Sequence, residues 1–147
     1  LTSKVITNRN GILEIGQRNE DTMKLDGIGI KVFTNGEIQE GHWREGLLNG
    51  KGRIIHANGE VYEGDFRNSS REGIGTCYYS NGNKYEGRWK HDQFHGKGKF
   101  TILNEGNIEG KFVMQAGVGW HILTANDGSQ SYVRLKDGEL VEEKIKP

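Results

Sequence analysis

From Tyr85 to Lys90 the chain alternates residue by residue: Tyr85, Gly87 and Trp89 fall on one side, Glu86, Arg88 and Lys90 on the other. A period of two is the signature of a β-strand, because successive side chains point to opposite faces. After a polar connection from His91 to His95, the alternation resumes with Gly96, Gly98, Phe100 and Ile102 against Lys97, Lys99 and Thr101. The break that follows carries Asn104-Glu105-Gly106 and matches Asn35-Gly36, Asn58-Gly59 and Asn81-Gly82. Asn-Gly supplies the positive φ that tight hairpins need. Each cycle therefore predicts strand, loop, strand, turn. The cycle returns every 23 residues: Gly27 and Gly29, Gly50 and Gly52, Gly73 and Gly75, Gly96 and Gly98 keep that step, as do Glu40-Gly41, Glu63-Gly64, Glu86-Gly87 and Glu109-Gly110. An internal repeat kept in phase over four cycles sets the architecture before any local motif is read.

Helices are almost excluded, with room for them only at the chain ends, since a glycine-rich pattern of period two offers no apolar stripe of period 3.6. The expected fold is all-β: an elongated antiparallel meander of tandem hairpins forming a single twisted, grooved sheet of about ten to twelve strands, on the order of 50 Å long. Glycine within strands costs conformational entropy. The aromatic residues two positions from each Glu-Gly glycine answer that cost, because the gap at Gly64 or Gly87 leaves a socket over which a ring from a neighbouring strand can lie. Trp43, Tyr62, Phe66, Tyr85, Trp89, Phe100 and Phe112 then line one face, as both core and binding trough. The glutamates of the Glu-Gly pairs form a ladder on the other face.

Composition narrows function by exclusion. With 33% hydrophobic residues and 23 glycines, the chain is a poor source of a thick core. Lys plus Arg and Asp plus Glu are both 20 and are interspersed, so no basic footprint for nucleic acid exists. No apolar run reaches the length of a membrane-spanning helix, and no secretory leader is evident. The chain is read as soluble and intracellular. Cys77 is the one cysteine, which excludes an internal disulfide. The Asn68-Ser69-Ser70 sequon carries no weight in a chain without secretion.

YEGDF at Tyr62 to Phe66, YEGRW at Tyr85 to Trp89 and HGKG at His95 to Gly98 resemble MORN repeats. The resemblance covers about residues 26–112 and divides the chain into a degenerate N-terminal repeat or cap (1–25), regular repeats (26–116) and a degenerate C-terminal repeat or cap (117–147). Gln39 and Ile108 take the Tyr slot, Phe66 and Phe112 the Trp slot. Arg18 stands where the first cycle should carry an aromatic. In the last cycle Ser131, Val133 and Leu135 replace the Tyr, Gly and aromatic residues. The resemblance implies a non-catalytic scaffold in a cytoskeletal or ciliary assembly, with cytoplasm, cytoskeleton or cilium as the place of work.

The chemistry-bearing residues agree with that reading. His42, His56, His91 and His121 share no repeat slot, and His95 stands where sister repeats place Asn49 and Glu72, which favours a loop hydrogen bond over proton transfer. No histidine pair has metal-ligand spacing, and neither metal nor cofactor is expected. Gly46 to Gly52 lacks the Lys-Ser/Thr ending of a phosphate loop. The expected partner is a helical or extended protein segment, or a larger multi-subunit assembly, held by the seven aromatic residues, with self-association at the open edge strands as a further option. Two alternatives stand beside it. One is peripheral contact with acidic phospholipids through Arg88, Lys90, Lys97 and Lys99, which nearby Glu86 opposes; the other is a targeting module of a larger enzyme.

Overall fold

A computed structural model describes residues 4–7, 10–113 and 116–145. The strands are β1 (Lys4–Thr7), β2 (Leu13–Arg18), β3 (Leu25–Val32), β4 (Ile38–Arg44), β5 (Leu47–Ile55), β6 (Val61–Arg67), β7 (Ser70–Tyr78), β8 (Lys84–Lys90), β9 (Gln93–Ile102), β10 (Gly106–Val113), β11 (Ala116–Gly117), β12 (Gly119–Ala125), β13 (Gln130–Lys136) and β14 (Glu139–Ile145). They form one antiparallel meander of 14 strands in sequence order, with the two-residue β11 paired to β10 beside the main path. The sheet is open, with β1 and β14 at its ends. Among the described residues there is no helix, and none long and apolar enough to cross a membrane.

Register explains the glycine periodicity. Gly16, Gly29, Gly41, Gly52, Gly64, Gly75, Gly87, Gly98 and Gly110 stand opposite one another on nine successive strands, β2 to β10. Directly opposed residues share a face, so the row is a furrow without side chains across the sheet. The rings lie in it: Gly52, Gly75 and Gly98 are covered by a ring from a neighbouring strand, as expected, while Gly64 and Gly87 meet the tyrosine of their own strand. A Cβ on Gly75 would stand 2.2 Å from Tyr62 Oη, and one on Gly98 2.3 Å from Tyr85 Oη. Each ring therefore crosses the glycine two positions on and its opposed partner, and its hydroxyl donates to a backbone carbonyl of its own strand, Asp65 O or Arg88 O, at 3.1 Å in both repeats. Trp43 Nε1 donates to Gly29 O at 2.8 Å and Trp89 Nε1 to Gly75 O at 3.0 Å, a bond reaching 14 residues back in each case.

The turns alternate between two kinds. Asn35-Gly36, Asn58-Gly59 and Asn81-Gly82 lie in three-residue loops where glycine alone takes positive φ (92°, 90° and 88°), while the Asn Oδ1 accepts from the backbone N–H two residues on. At the other end of each hairpin are two-residue turns with both residues at positive φ: Glu45-Gly46, Asn68-Ser69 and His91-Asp92. The expected five-residue connection from His91 to His95 is thus two residues long, and β9 begins at Gln93. Hydrogen bonds to the preceding cycle hold these unfavourable conformations. Gly46, Ser69, Asp92 and Gly138 donate to Leu25 O, Leu48 O, Arg71 O and Gly117 O, donors and acceptors both falling on the 23-residue frame.

At the N-terminal end β2 pairs with β3, and the Arg18 that replaces an aromatic is itself 8% exposed, donating to Glu14 Oε2 at 3.0 Å and Met23 O at 2.7 Å. At the other end His121 takes over the ring-on-glycine role, its Cδ2 standing 2.2 Å from where a Cβ of Gly110 would lie.

Candidate functional site

The seven aromatic residues proposed from sequence share one face, and the structure packs them into one cluster. Tyr62 meets Phe66 and Trp89 edge-on at 5.0 Å, Tyr85 meets Trp89 at 5.3 Å and Phe112 at 5.5 Å, and Phe112 meets His121 at 5.3 Å. Trp43, Tyr62, Phe66, Tyr85, Trp89 and Phe112 are 0–5% exposed; Phe100 is half-buried at the rim beside Tyr79 and Phe94. Because Tyr62, Phe66 and Tyr85 lie down over glycines and the other rings pack on them, a single-layer sheet covers its own apolar face. The rings are the core, and Phe100 alone among the seven keeps appreciable free surface. Arg71 adds a guanidinium 4.5 Å from the Trp89 ring centre and is anchored by Asp92.

The opposite face carries the polar slots in cross-strand rows. One row runs Glu40, Arg53, Glu63, Thr76, Glu86, Lys99, Glu109, Ile122, Tyr132. A neighbouring row pairs Lys51 with Asp65, Ile74 with Arg88 and Lys97 with Lys111. The cations differ along these rows. In the first repeats they are satisfied: Lys51 Nζ is 2.6 Å from Asp65 Oδ1, and Arg53 reaches Glu40 at 3.6 Å and Glu63 at 3.1 Å. Among the described residues Lys97, Lys99 and Lys111 have no such ion pair, and Lys97 opposes Lys111, a like-charge arrangement that costs stability. Arg88, Lys90, Lys97 and Lys99, proposed from sequence as one patch, do share this face on β8 and β9.

Beside those lysines the face turns apolar. Trp120 is 44% and Tyr132 38% exposed, and with Ile122, Lys97, Lys99 and Lys111 they bound a cleft of about 630 Å³ whose remaining polar groups include Glu86 and Glu109. A smaller depression of about 410 Å³ lies on the same face around Ile28, His42 and Lys51, where Lys51 and Arg53 are already neutralised. Sequence reasoning missed Lys111, Trp120 and Tyr132. The signal was present: Trp120 stands one 23-residue step after Lys97, and Tyr132 one step after Glu109, so two charged slots have become aromatic on adjacent strands.

No acid–base constellation accompanies the cleft. His56 pairs with Glu37 at 3.0 Å and His91 with Glu72 at 3.3 Å, far apart on the sheet. His121 is 1% exposed with Nδ1 3.1 Å from Gly119 O. Among the described residues no three His, Cys, Asp or Glu side chains gather as metal ligands. Burial pushes the Tyr85 hydroxyl up to about 12 and the Tyr62 and Tyr79 hydroxyls and the Cys77 thiol above their ordinary values, so these groups stay protonated at neutral pH. Asp65 runs the other way: partial burial works against its charge, but hydrogen bonds from Lys51 and the Ile74 N–H hold its carboxyl below the usual range.

The MORN repeat model matches residues 40–61, 62–84 and 85–102. No curated protein sequence matches the chain. Among solved structures the chain is similar to the TCP domain of SAS-4 (dCPAP) of Drosophila melanogaster, determined in complex with a proline-rich motif of Ana2 (dSTIL), at 14% identity and a TM-score of 0.45, covering 99% of this chain and 90% of that one.

Proposed function

We propose that this chain, whose residues 40–102 are three consecutive MORN repeats, is a non-catalytic interaction module that holds a segment of a partner protein. One observation carries the reading. The sheet buries its aromatic face on itself and leaves large apolar side chains on the polar face: Ile28 and Ile74 are both 53% exposed, Trp120 44% and Tyr132 38%. Apolar surface interleaved with charge suits protein recognition better than chemistry. A cytoskeletal or ciliary assembly is the setting proposed for it.

The shared face of Arg88, Lys90, Lys97 and Lys99 supports the second reading, contact with acidic lipid headgroups, but Glu86 and Glu109 stand among those cations and oppose a negative plane. The test is affinity capture with the intact chain, purification of the recovered protein and a binding isotherm between the two. A saturable one-to-one isotherm is expected. Failure to obtain any saturable protein ligand, together with salt-sensitive vesicle binding, refutes the reading.

A further inference from the structure

We infer that the cleft between β9 and β13 is the docking site, and that its occupant is a short extended peptide segment bearing carboxylates at one end and an apolar or aromatic side chain at the other. The inference rests on the interaction reading above and names its site and its ligand chemistry.

Charge supplies the first argument. Three lysines converge on the cleft without an ion pair, and two of them, Lys97 and Lys111, oppose each other across β9 and β10. The same fold shows how such slots are otherwise completed: two cycles earlier the Lys97 slot holds Lys51, opposed by Asp65 and ion-paired to it. Replacing the acid with a second lysine removes an internal counter-charge and leaves room for an external one.

The second argument is the distribution of apolar surface. Trp120, Ile122 and Tyr132 occupy β12 and β13, on the far side of the cleft from Lys97 and Lys99 on β9. Four neighbouring strands, β9, β10, β12 and β13, span about 14 Å at roughly 4.8 Å each. An extended segment crossing them needs about five residues at roughly 3.3 Å per residue. Its first carboxylates would meet Lys97, Lys99 and Lys111, and its last side chain would lie against Trp120 and Tyr132. A bilayer fits less well, because a plane of headgroups would meet Glu86 and Glu109 together with the lysines, whereas a peptide can set its carboxylates over the Lys97–Lys111 row and clear of the row in which Glu86 and Glu109 flank Lys99.

The probe is a fluorescein-labelled peptide in which a glutamate pair precedes a leucine–phenylalanine pair, with a lysine-for-glutamate control and vesicles of phosphatidylcholine with and without phosphatidylserine. Trp43 and Trp89 are each 3% exposed, so acrylamide quenching of the intact chain reports mainly on Trp120. We expect saturable micromolar binding, protection of Trp120 from quenching, no binding of the control, and at least a tenfold loss of affinity in Lys97→Glu. That variant faces Lys111 with an acid, as Asp65 faces Lys51, so its melting temperature should hold or rise; lost affinity is then not lost folding. No binding of the acidic peptide, unchanged affinity in Lys97→Glu, or vesicle binding that Lys97→Glu abolishes while the peptide does not compete, each overturns the assignment. If a partner recovered by capture binds Lys97→Glu as well as wild type, the cleft is refuted while the interaction reading stands.

Discussion

Gly75→Ala is the sharpest test of how this sheet holds together, because Gly75 has no positive φ and the substitution acts by sterics alone. Its new methyl would lie 2.2 Å from Tyr62 Oη, 2.5 Å from Cζ and 2.6 Å from Cε2, against an ordinary contact near 3.5–4 Å. The ring cannot slide sideways, being flanked by Phe66 and Trp89, both at 5.0 Å. It must lift out of the furrow. Tyr62 is 0% exposed, so half to full loss of a buried surface of about 200 Å² costs about 2.5–5 kcal/mol at 25 cal/mol per Å². The broken bond to Asp65 O adds about 1 kcal/mol, and alanine's advantage over glycine in a strand returns about 0.5–1 kcal/mol. The net expectation is a destabilisation of about 3–5 kcal/mol, measured by urea unfolding followed by far-UV circular dichroism. Gly52→Ala should cost less, about 1 kcal/mol, since its nearest contacts are 3.0 Å from Glu40 O and 3.1 Å from the Phe66 ring. In Tyr62→Ala the socket is empty, so adding Gly75→Ala should cost nothing further. A neutral Gly75→Ala, or a double variant whose cost is the sum of the singles, refutes the ring-on-glycine account.

Further expectations follow from single features of the structure. Tyr85 carries a hydroxyl raised from 10.0 to about 12 by burial, and Tyr62 and Tyr79 are raised too; below pH 10 these hydroxyls are neutral in both states and their contribution is intact, whereas from pH 10 to 12 the unfolded chain ionises first. The unfolding free energy from urea titration should therefore fall across that window, by up to about 1.4 kcal/mol per pH unit per tyrosine, and a flat free energy there would contradict the burial. Arg71 stands in the slot that holds Leu25, Leu48 and Phe94 in sister cycles, so Arg71→Leu should change stability by less than about 1 kcal/mol while Arg71→Ala, losing both the Trp89 contact and the filling volume, should cost about 1–3 kcal/mol; equal effects would show that volume is irrelevant there. His91 sits at φ 50° with its side chain exposed, and His91→Asn should stabilise by about 0.5 kcal/mol in the same assay because asparagine accepts that conformation more readily.

What the sequence made legible is what period two and a fixed step encode. The alternation around Tyr85, Gly87 and Trp89 identifies strand and face, and the 23-residue step predicts the meander. Side-chain torsion is not periodic information, which is why the pattern predicts a ring from a neighbouring strand over each glycine but not that the Tyr62 ring spans Gly64 of its own strand as well as Gly75 of the next. The turn at His91-Asp92 was hidden for another reason. His and Asp tolerate positive φ better than most residues, but without glycine or asparagine the dipeptide is a weak turn signal; the conformation is held from the previous cycle, where Arg71 O accepts from Asp92 N at 3.2 Å and Arg71 N donates to Asp92 Oδ1 at 2.9 Å. A long-range constraint of that kind leaves no local signature.

The cleft was illegible because it consists of departures from the repeat. On the aromatic face a slot is confined by packing in the furrow: where the ring is lost, the replacement is itself tucked in, as Arg18 is at 8% exposure. On the opposite face a side chain contacts solvent and its cross-strand neighbours only, so its slot can vary at little cost to the fold. The slot that reads Ile28, Lys51, Ile74, Lys97, Trp120 shows that freedom, as does the one that reads Glu40, Glu63, Glu86, Glu109, Tyr132. Repetition thus identifies the residues that build the sheet, and by the same logic its failures on the solvent face identify where to seek recognition. The aromatic signature that first draws the eye is, on this account, the less informative half of the pattern about partners: its rings are consumed in making a single-layer sheet stable, and specificity is left to the variable slots behind them.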